Sequence, residues 1–250
     1  MHNKVDILGV PVSSLSMDKL FADWERIIKA RLKAQVCITP VNSILAARAS
    51  ARVQEIYKNA EFVLCDGMPV KWASHFLGTP IIERITGLDV LPRLFAFAAE
   101  KKYSVFLLGA SPGVAEELKR QMCAKYPSLQ IMGIFVPPFR PVFSTQENQE
   151  MIDAINLVKP DIVLVSLTAP KQDIWIAENL PQLDTYLAIG IGGAFEVAAG
   201  MIKRAPIWMQ KGGLEWFYRF LQEPKRMFRR YYIEAPRFIP LIIAQKFRKR

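Results

Sequence analysis

Asp66 is the carboxylate whose setting best suits acid–base chemistry. It ends the apolar run Phe62-Val63-Leu64-Cys65 and precedes Gly67, which puts a carboxyl group at the tip of a buried strand. Such a group serves as a general base if partial burial raises its pKa. A plainer role fits the same position: an Asx turn, or a cap on a helix opening near Pro69. Two glycine-rich turns, Gly109-Ala110-Ser111-Pro112-Gly113 and Gly190-Ile191-Gly192-Gly193, each separate an apolar strand from a helical segment. Free amides in such turns face an anion, phosphate above all.

Other chemistries find less support. Neither turn is a G-x-G-x-x-G, and no acidic residue follows where a ribose hydroxyl needs one, so a nucleotide-dependent oxidoreductase or methyltransferase is weakly supported. The chain has no D-x-D, no H-E-x-x-H and no clustered Cys and His, so no metal site and no cofactor are expected. With only His2 and His75 in the sequence, a serine-hydrolase triad is disfavoured, and His75 lies in a helix-like segment as a structural residue. Without a metal, a phosphorylated leaving group needs arginines and backbone amides to meet its charge.

The C-terminal fifth supplies those arginines. Residues 201–250 hold 13 of the 33 Lys and Arg but only Glu215, Glu223 and Glu234 among the acids, so the whole net charge of +10 sits there. Ten aromatic residues, Trp208 and Trp216 among them, are interleaved with these charges, more than a solubilising face requires. Such a segment meets a polyanion: nucleic acid, anionic lipid or a phosphorylated substrate. The stretch around Trp216-Phe217-Tyr218-Arg219-Phe220-Leu221 has amphipathic helical periodicity, and Pro224 starts a second helix. If the two are nearly collinear, Arg219, Arg226, Arg229 and Arg230 fall on one stripe. The apolar Phe238-Ile239-Pro240-Leu241-Ile242-Ile243, followed by Lys246, Arg248, Lys249 and Arg250, suits an interfacial helix on an anionic leaflet. A helix hairpin packed on the body, or on a second subunit, accounts for the same pattern.

Strand–helix alternation must position these groups. Strands are predicted at 5–10, 35–39, 62–65, 104–109, 130–136, 161–167 and 186–191, and helices at 17–33, 89–101, 114–125 and 146–158. The expected fold is α/β, with a largely parallel, Rossmann-like sheet flanked by helices and a basic amphipathic helical C-terminal appendage. Two units are expected: a catalytic domain over 1–200 and an appendage over 201–250, with the boundary near 200–206. The prolines in 136–143 predict a stiff surface loop. In a parallel sheet, ligands sit beyond the carboxyl ends of the strands, where the clusters at Thr39-Pro40-Val41-Asn42, Asp66-Gly67-Met68-Pro69 and Ala169-Pro170-Lys171-Gln172 also fall.

At 250 residues, 51% hydrophobic and 22% charged, the chain has a full core and is neither disordered nor collagen-like. No apolar stretch reaches the roughly 18 residues of a membrane-spanning helix. No signal peptide is expected, and three scattered cysteines (Cys37, Cys65, Cys123) are the pattern of a reducing cytosol rather than a disulfide framework.

Taken in order, these motifs resemble the WecG/TagA/CpsF glycosyltransferases of bacteria. The resemblance runs from Thr39 to Tyr231 through Thr39-Pro40-Val41-Asn42, Asp66-Gly67-Met68-Pro69-Val70, Arg84-Ile85-Thr86-Gly87-Leu88-Asp89 and Pro170-Lys171-Gln172-Asp173. It continues through Gly190-Ile191-Gly192-Gly193-Ala194-Phe195-Glu196, Lys203-Arg204-Ala205-Pro206, Gly212-Gly213-Leu214-Glu215-Trp216-Phe217-Tyr218-Arg219 and Glu223-Pro224 with Arg226 and Arg229.

The resemblance implies a metal-independent, inverting transfer of a sugar, often N-acetylmannosamine or its uronic acid, from a UDP donor to a sugar on undecaprenyl diphosphate. It implies Asp66 as the base, with Thr39 and Asn42 beside it, and Arg84 and Gln172 as substrate-positioning groups. Gly109 and the residues Gly190, Gly192, Gly193, Ala194, Phe195 and Glu196 are expected to bind the nucleotide. Arg219, Arg226 and Arg229 are expected to reach the diphosphates when the tail closes. A cytoplasmic protein held peripherally on the inner face of the cell membrane follows, with a homo-oligomer open and no nucleic acid required. Three departures from the family pattern (Glu196 for Asp, Asp173 for Glu, and an extra residue between Thr39-Pro40 and Asn42) are expected in the donor pocket, where they bear on the sugar; some relatives transfer glucose. The rival class, a nucleic-acid- or lipid-binding protein without catalysis, rests on the basic tail alone.

Overall fold

Aliphatic runs buried on both faces form a parallel sheet, because helices must cover each side of it. The computed structural model describes residues 2–248, the side chains of Lys211, Arg226 and Arg230 excepted. Strands β1 (Asn3–Ile7) and β2 (Val10–Ser14) pair as an antiparallel hairpin. Strands β3 (Ala34–Thr39), β4 (Phe62–Cys65), β5 (Ser104–Gly109), β6 (Gln130–Phe135), β7 (Ile162–Ser166) and β8 (Leu187–Gly190) form a six-stranded, all-parallel sheet in the order β4-β3-β8-β7-β5-β6.

The strand predicted at 5–10 is thus two short ones. The chain reverses at Leu8-Gly9, both at positive φ (54° and 86°), and Asp6 Oδ1 accepts a 2.9 Å hydrogen bond from the Gly9 amide. The triple-proline stretch 136–143 has no regular structure and leaves Phe139 fully exposed, as a surface loop should.

Period-2 alternation divides the core. Val36, Ile38, Leu64, Leu107, Leu164 and Ile189 point to one face, under the helices Met17–Lys29 and Gly87–Lys101. Cys37, Val63 and Cys65 point to the other, into a cluster with the hairpin and Tyr57, while Phe106, Leu108, Val163 and Ala188 enter a third cluster. Between those two runs a polar seam: Gln35 Nε2 donates to the Asp173 carbonyl at 2.7 Å, and the Tyr57 hydroxyl donates to Asp173 Oδ2 at 2.7 Å.

The sheet order places a switch point between β3 and β8. From β3 the chain runs outward to β4, whereas β8 arrives from β7 on the other side. Crevices beyond the carboxyl ends of strands open at such points.

The basic segment is helical and only partly separate from the body. Helix Glu215–Gln222 stops at Glu223, whose φ of −133° and ψ of 59° break the spiral, and helix Pro224–Phe228 starts anew. The single stripe of arginines is therefore interrupted. The last helix, Phe238–Arg248, buries Phe238 and Ile242 in the same cluster as Val70, Ala73 and Ile81. Its Gln245 clasps the hairpin turn, accepting from the Leu8 amide (2.9 Å) and donating to Asp6 Oδ2 (2.8 Å). Burial of two such side chains contributes about 3–6 kcal/mol to holding the tail against the body. No helix among the described residues is long and apolar enough to cross a membrane.

Candidate functional site

The loops beyond β3, β4, β7 and β8 open into one cavity of about 850 Å³, which residues of the basic segment also line. Asn42, Asp66, Arg84 and Gln172 line it, as do Gly192, Gly193 and Ala194, and Arg219 reaches it from the tail.

Asp66 is fixed by its backbone. Its amide donates to the Thr39 carbonyl at 3.3 Å, and the Ile85 amide donates to the Cys65 carbonyl at 2.9 Å, so the tip of β4 is clamped between β3 and the segment that carries Arg84. Gly67, at φ 95°, turns the chain into helix Met68–Leu77 and is itself the residue before the first turn, so Asp66 does not occupy the capping position. The Asp66 carboxylate is half-buried. Beside it the Cys65 thiol is pushed up to about 12, by burial first and the Asp66 charge second, and stays protonated at neutral pH.

Asn42 sits in the first turn of helix Val41–Ala49, and its buried Oδ1 has no hydrogen-bond partner among the described residues. A buried acceptor left open on a cavity wall is what a ligand donor would satisfy. Gln172 is almost wholly buried, and its Oε1 accepts from the Gly192 amide at 3.0 Å while Ser166 Oγ donates to the Gly192 carbonyl at 2.7 Å.

Several expected contacts take another form. Thr39 is fully buried, its hydroxyl turned to the Cys37 carbonyl (3.3 Å), so it supports Asp66 through its backbone rather than facing the cavity. The Gly192 amide, expected to be free for phosphate, is taken by Gln172. Gly190 lies behind the wall, where a Cβ would come within 2.7 Å of both Gln172 Nε2 and Asp173 Oδ1; its lack of a side chain is what admits those two groups. Gly109 packs against the Ser166 carbonyl, 2.4 Å from where a Cβ would be, and is also outside the cavity. Phe195 is fully buried in the core. Glu196 does not line the cavity either, and its Oε2 is buried without a partner among the described residues. Asp173, expected in the donor pocket, is buried in the polar seam below it, where desolvation pushes its carboxyl up to about 7 against the bond from Tyr57.

The arginines divide likewise. Arg219 faces the cavity and pairs with Glu223 at 2.7 Å. Arg229 is at the surface, with 81% of its side chain exposed and paired to Glu234 at 3.0 Å. The Arg226 side chain lies outside the described residues. Gly109-Ala110-Ser111-Pro112-Gly113 also has G-x-S-x-G spacing with Ser111 exposed, yet neither histidine serves it. His2 meets Ser13 Oγ and stacks on Phe62, while His75 lies in helix Met68–Leu77.

A charge network crosses from body to tail. Arg84 pairs with Asp89 (3.3 Å) and Glu215 (3.5 Å). Arg204 pairs with the other oxygens of the same two carboxylates, meeting Glu215 at 3.0 Å, and also donates to the Leu88 carbonyl at 3.1 Å. Thr86 Oγ1 holds Asp89 Oδ2 at 2.8 Å.

A family model described as the glycosyl transferase WecG/TagA/CpsF family matches residues 5–250. The chain belongs to this family. It is a glycosyltransferase. It is similar, at 30% identity over 226 residues, to N-acetylglucosaminyldiphosphoundecaprenol N-acetyl-beta-D-mannosaminyltransferases of Staphylococcus aureus strains MW2 and NCTC 8325, the match covering 90% of this chain and 87% of each relative.

Sequence reasoning gave no role to Asp89, Arg204 or Glu215, although all three stand in motifs that carry the family resemblance. The signal was present in their charges. Both acids of those motifs, Asp89 and Glu215, stand among four basic residues, Arg84, Lys203, Arg204 and Arg219, and a carboxylate taken out of water in the folded glycosyltransferase needs such a partner.

Proposed function

We propose that this glycosyltransferase moves an N-acetylmannosamine-type sugar from a UDP donor to N-acetylglucosamine carried on undecaprenyl diphosphate, with inversion and without a metal ion. The observation that carries the reading is the meeting of Asp66 with Arg84 and Arg219 in one cavity. The relatives' acceptor, a sugar diphosphate on a prenyl alcohol, supplies the class of acceptor.

In this mechanism the Asp66 carboxylate accepts the proton of the acceptor hydroxyl as its oxygen attacks the anomeric carbon. The bond from that carbon to the UDP oxygen breaks with its electron pair, and the departing diphosphate's charge is met by Arg84 and Arg219. Asn42 and Gln172 orient the sugars through their amides. Apolar residues exposed on the basic segment, Trp208, Phe217 and Leu221 among them, together with its lysines and arginines, fit attachment to an anionic membrane surface on the cytoplasmic side.

The test is UDP release from UDP-N-acetylmannosamine in EDTA, with a synthetic prenyl-diphosphate N-acetylglucosamine acceptor. Asp66→Asn should lower kcat by roughly 10²–10⁴ while donor affinity holds. Wild-type turnover in that variant, or dependence of the wild type on added divalent metal, overturns the mechanism.

A further inference from the structure

The lining of the cavity has two chemically distinct parts. One is made of amides, carboxylates and guanidinium groups, from Asn42, Asp66, Arg84, Gln172, Glu215 and Arg219. The other comes from two helices far apart in the chain. Trp72 and Phe76, four residues apart on helix Met68–Leu77, form one wall; Ile239 and Ile243, four apart on helix Phe238–Arg248, form the other. The spacing puts each pair on one helix face.

The helices are locked together beneath by Phe238, Ile242, Val70 and Ala73, and Lys246 Nζ lies 5.8 Å from the Phe76 ring. Yet the four wall residues stay open to solvent, at 56, 48, 62 and 44% exposure in the order named. Paired apolar walls left uncovered, continuous with a charged chamber, call for a ligand whose apolar part adjoins a charged one.

We propose that this trough seats the first isoprene units of the acceptor's polyprenyl chain, leading the hydrocarbon from the diphosphate out to the bilayer. The inference rests on the reading above that the acceptor is lipid-linked, which supplies a ligand of that chemistry. A membrane-contact role alone would need these residues on an outer face. Instead all four line the same cavity as Asp66.

The decisive comparison uses two water-soluble acceptors without detergent or vesicles: N-acetylglucosamine diphosphate as its methyl ester and as its geranyl ester. The geranyl group should raise kcat/KM by roughly tenfold or more, mainly through KM. Phe76→Ser and Ile243→Ser should bring the geranyl-to-methyl ratio toward one. Independently of turnover, geranyl diphosphate but not inorganic diphosphate should shift the tryptophan emission, and Trp72→Phe should reduce that shift more than Trp216→Phe does. Equal use of both acceptors by the wild type overturns the trough, as does a geranyl advantage that survives both serine variants. Transfer to neither acceptor overturns instead the acceptor assignment beneath it.

Discussion

Arg84 of the body and Glu215 of the basic tail lie 3.5 Å apart, and the pair ties the wall of the cavity to the segment that closes it. Arg204 and Asp89 complete a ring in which each carboxylate touches both guanidinium groups. Arg84 is thereby aimed at the cavity by a residue more than a hundred positions further along the chain.

Glu215→Gln keeps the shape and removes the charge. Glu215 accepts a hydrogen bond from Arg204 at 3.0 Å and forms an ion pair with Arg84; a hydrogen bond to a charged group contributes about 1.5–3 kcal/mol, so weakening both contacts should loosen Arg84 and lower kcat/KM by roughly tenfold. Steady-state kinetics would check it, with Glu215→Asp recovering part of the loss. Full activity in the glutamine variant would mean that the tail positions nothing.

Gly190→Ala tests how closely Gln172 is held. The added Cβ would stand 2.7 Å from Gln172 Nε2, closer than such atoms approach, so the Gln172 amide must shift and with it the Gly192 loop. Overpacking of this kind costs about 1–3 kcal/mol. Both a lower melting temperature and a raised donor KM are expected, and an unchanged donor KM would separate Gln172 from donor binding.

Five of the six sheet strands were legible because each is a run buried on both faces, which the fold leaves no alternative but to cover; the edge strand β6, only partly buried, was legible from its apolar run alone. The hairpin was not, because Leu8-Gly9 interrupts its apolar run without the Asn-Gly or Asp-Gly signature of a tight turn. Asp66 was legible from its place at a strand tip. Asp173 was misplaced because its neighbour Gln172 faces the cavity, and successive residues of a helix point about 100° apart. The Arg204–Asp89 pair spans 115 residues, a distance over which charge pattern alone names no partner.

Asp173 also makes stability depend on pH. Its carboxyl titrates at about 7 in the fold against 3.8 ordinarily, so the native state keeps a proton that the unfolded chain releases. Stability contributed by that proton is present below about pH 4, is lost as pH rises toward 7, and is absent above. Asp173→Asn abolishes the titration and can still accept from Tyr57. Its melting temperature should therefore change less between pH 5 and pH 8 than the wild type's. Identical pH slopes would place the titration elsewhere.

Phe238 is buried among Val70, Ala73 and Ile81, whereas the adjacent Ile239 is 62% exposed. Truncating a buried phenylalanine costs about 3–5 kcal/mol, and truncating an exposed side chain stays within about 0.5 kcal/mol. Phe238→Ala should therefore lower the melting temperature by roughly 10 °C and Ile239→Ala by a degree or two. The contrast matters because the two are neighbours on one helix and face different ways, one into the core and one to solvent. If the two variants melt alike, the helix is not seated on the body in solution, and the cavity loses the wall that it shares with the tail.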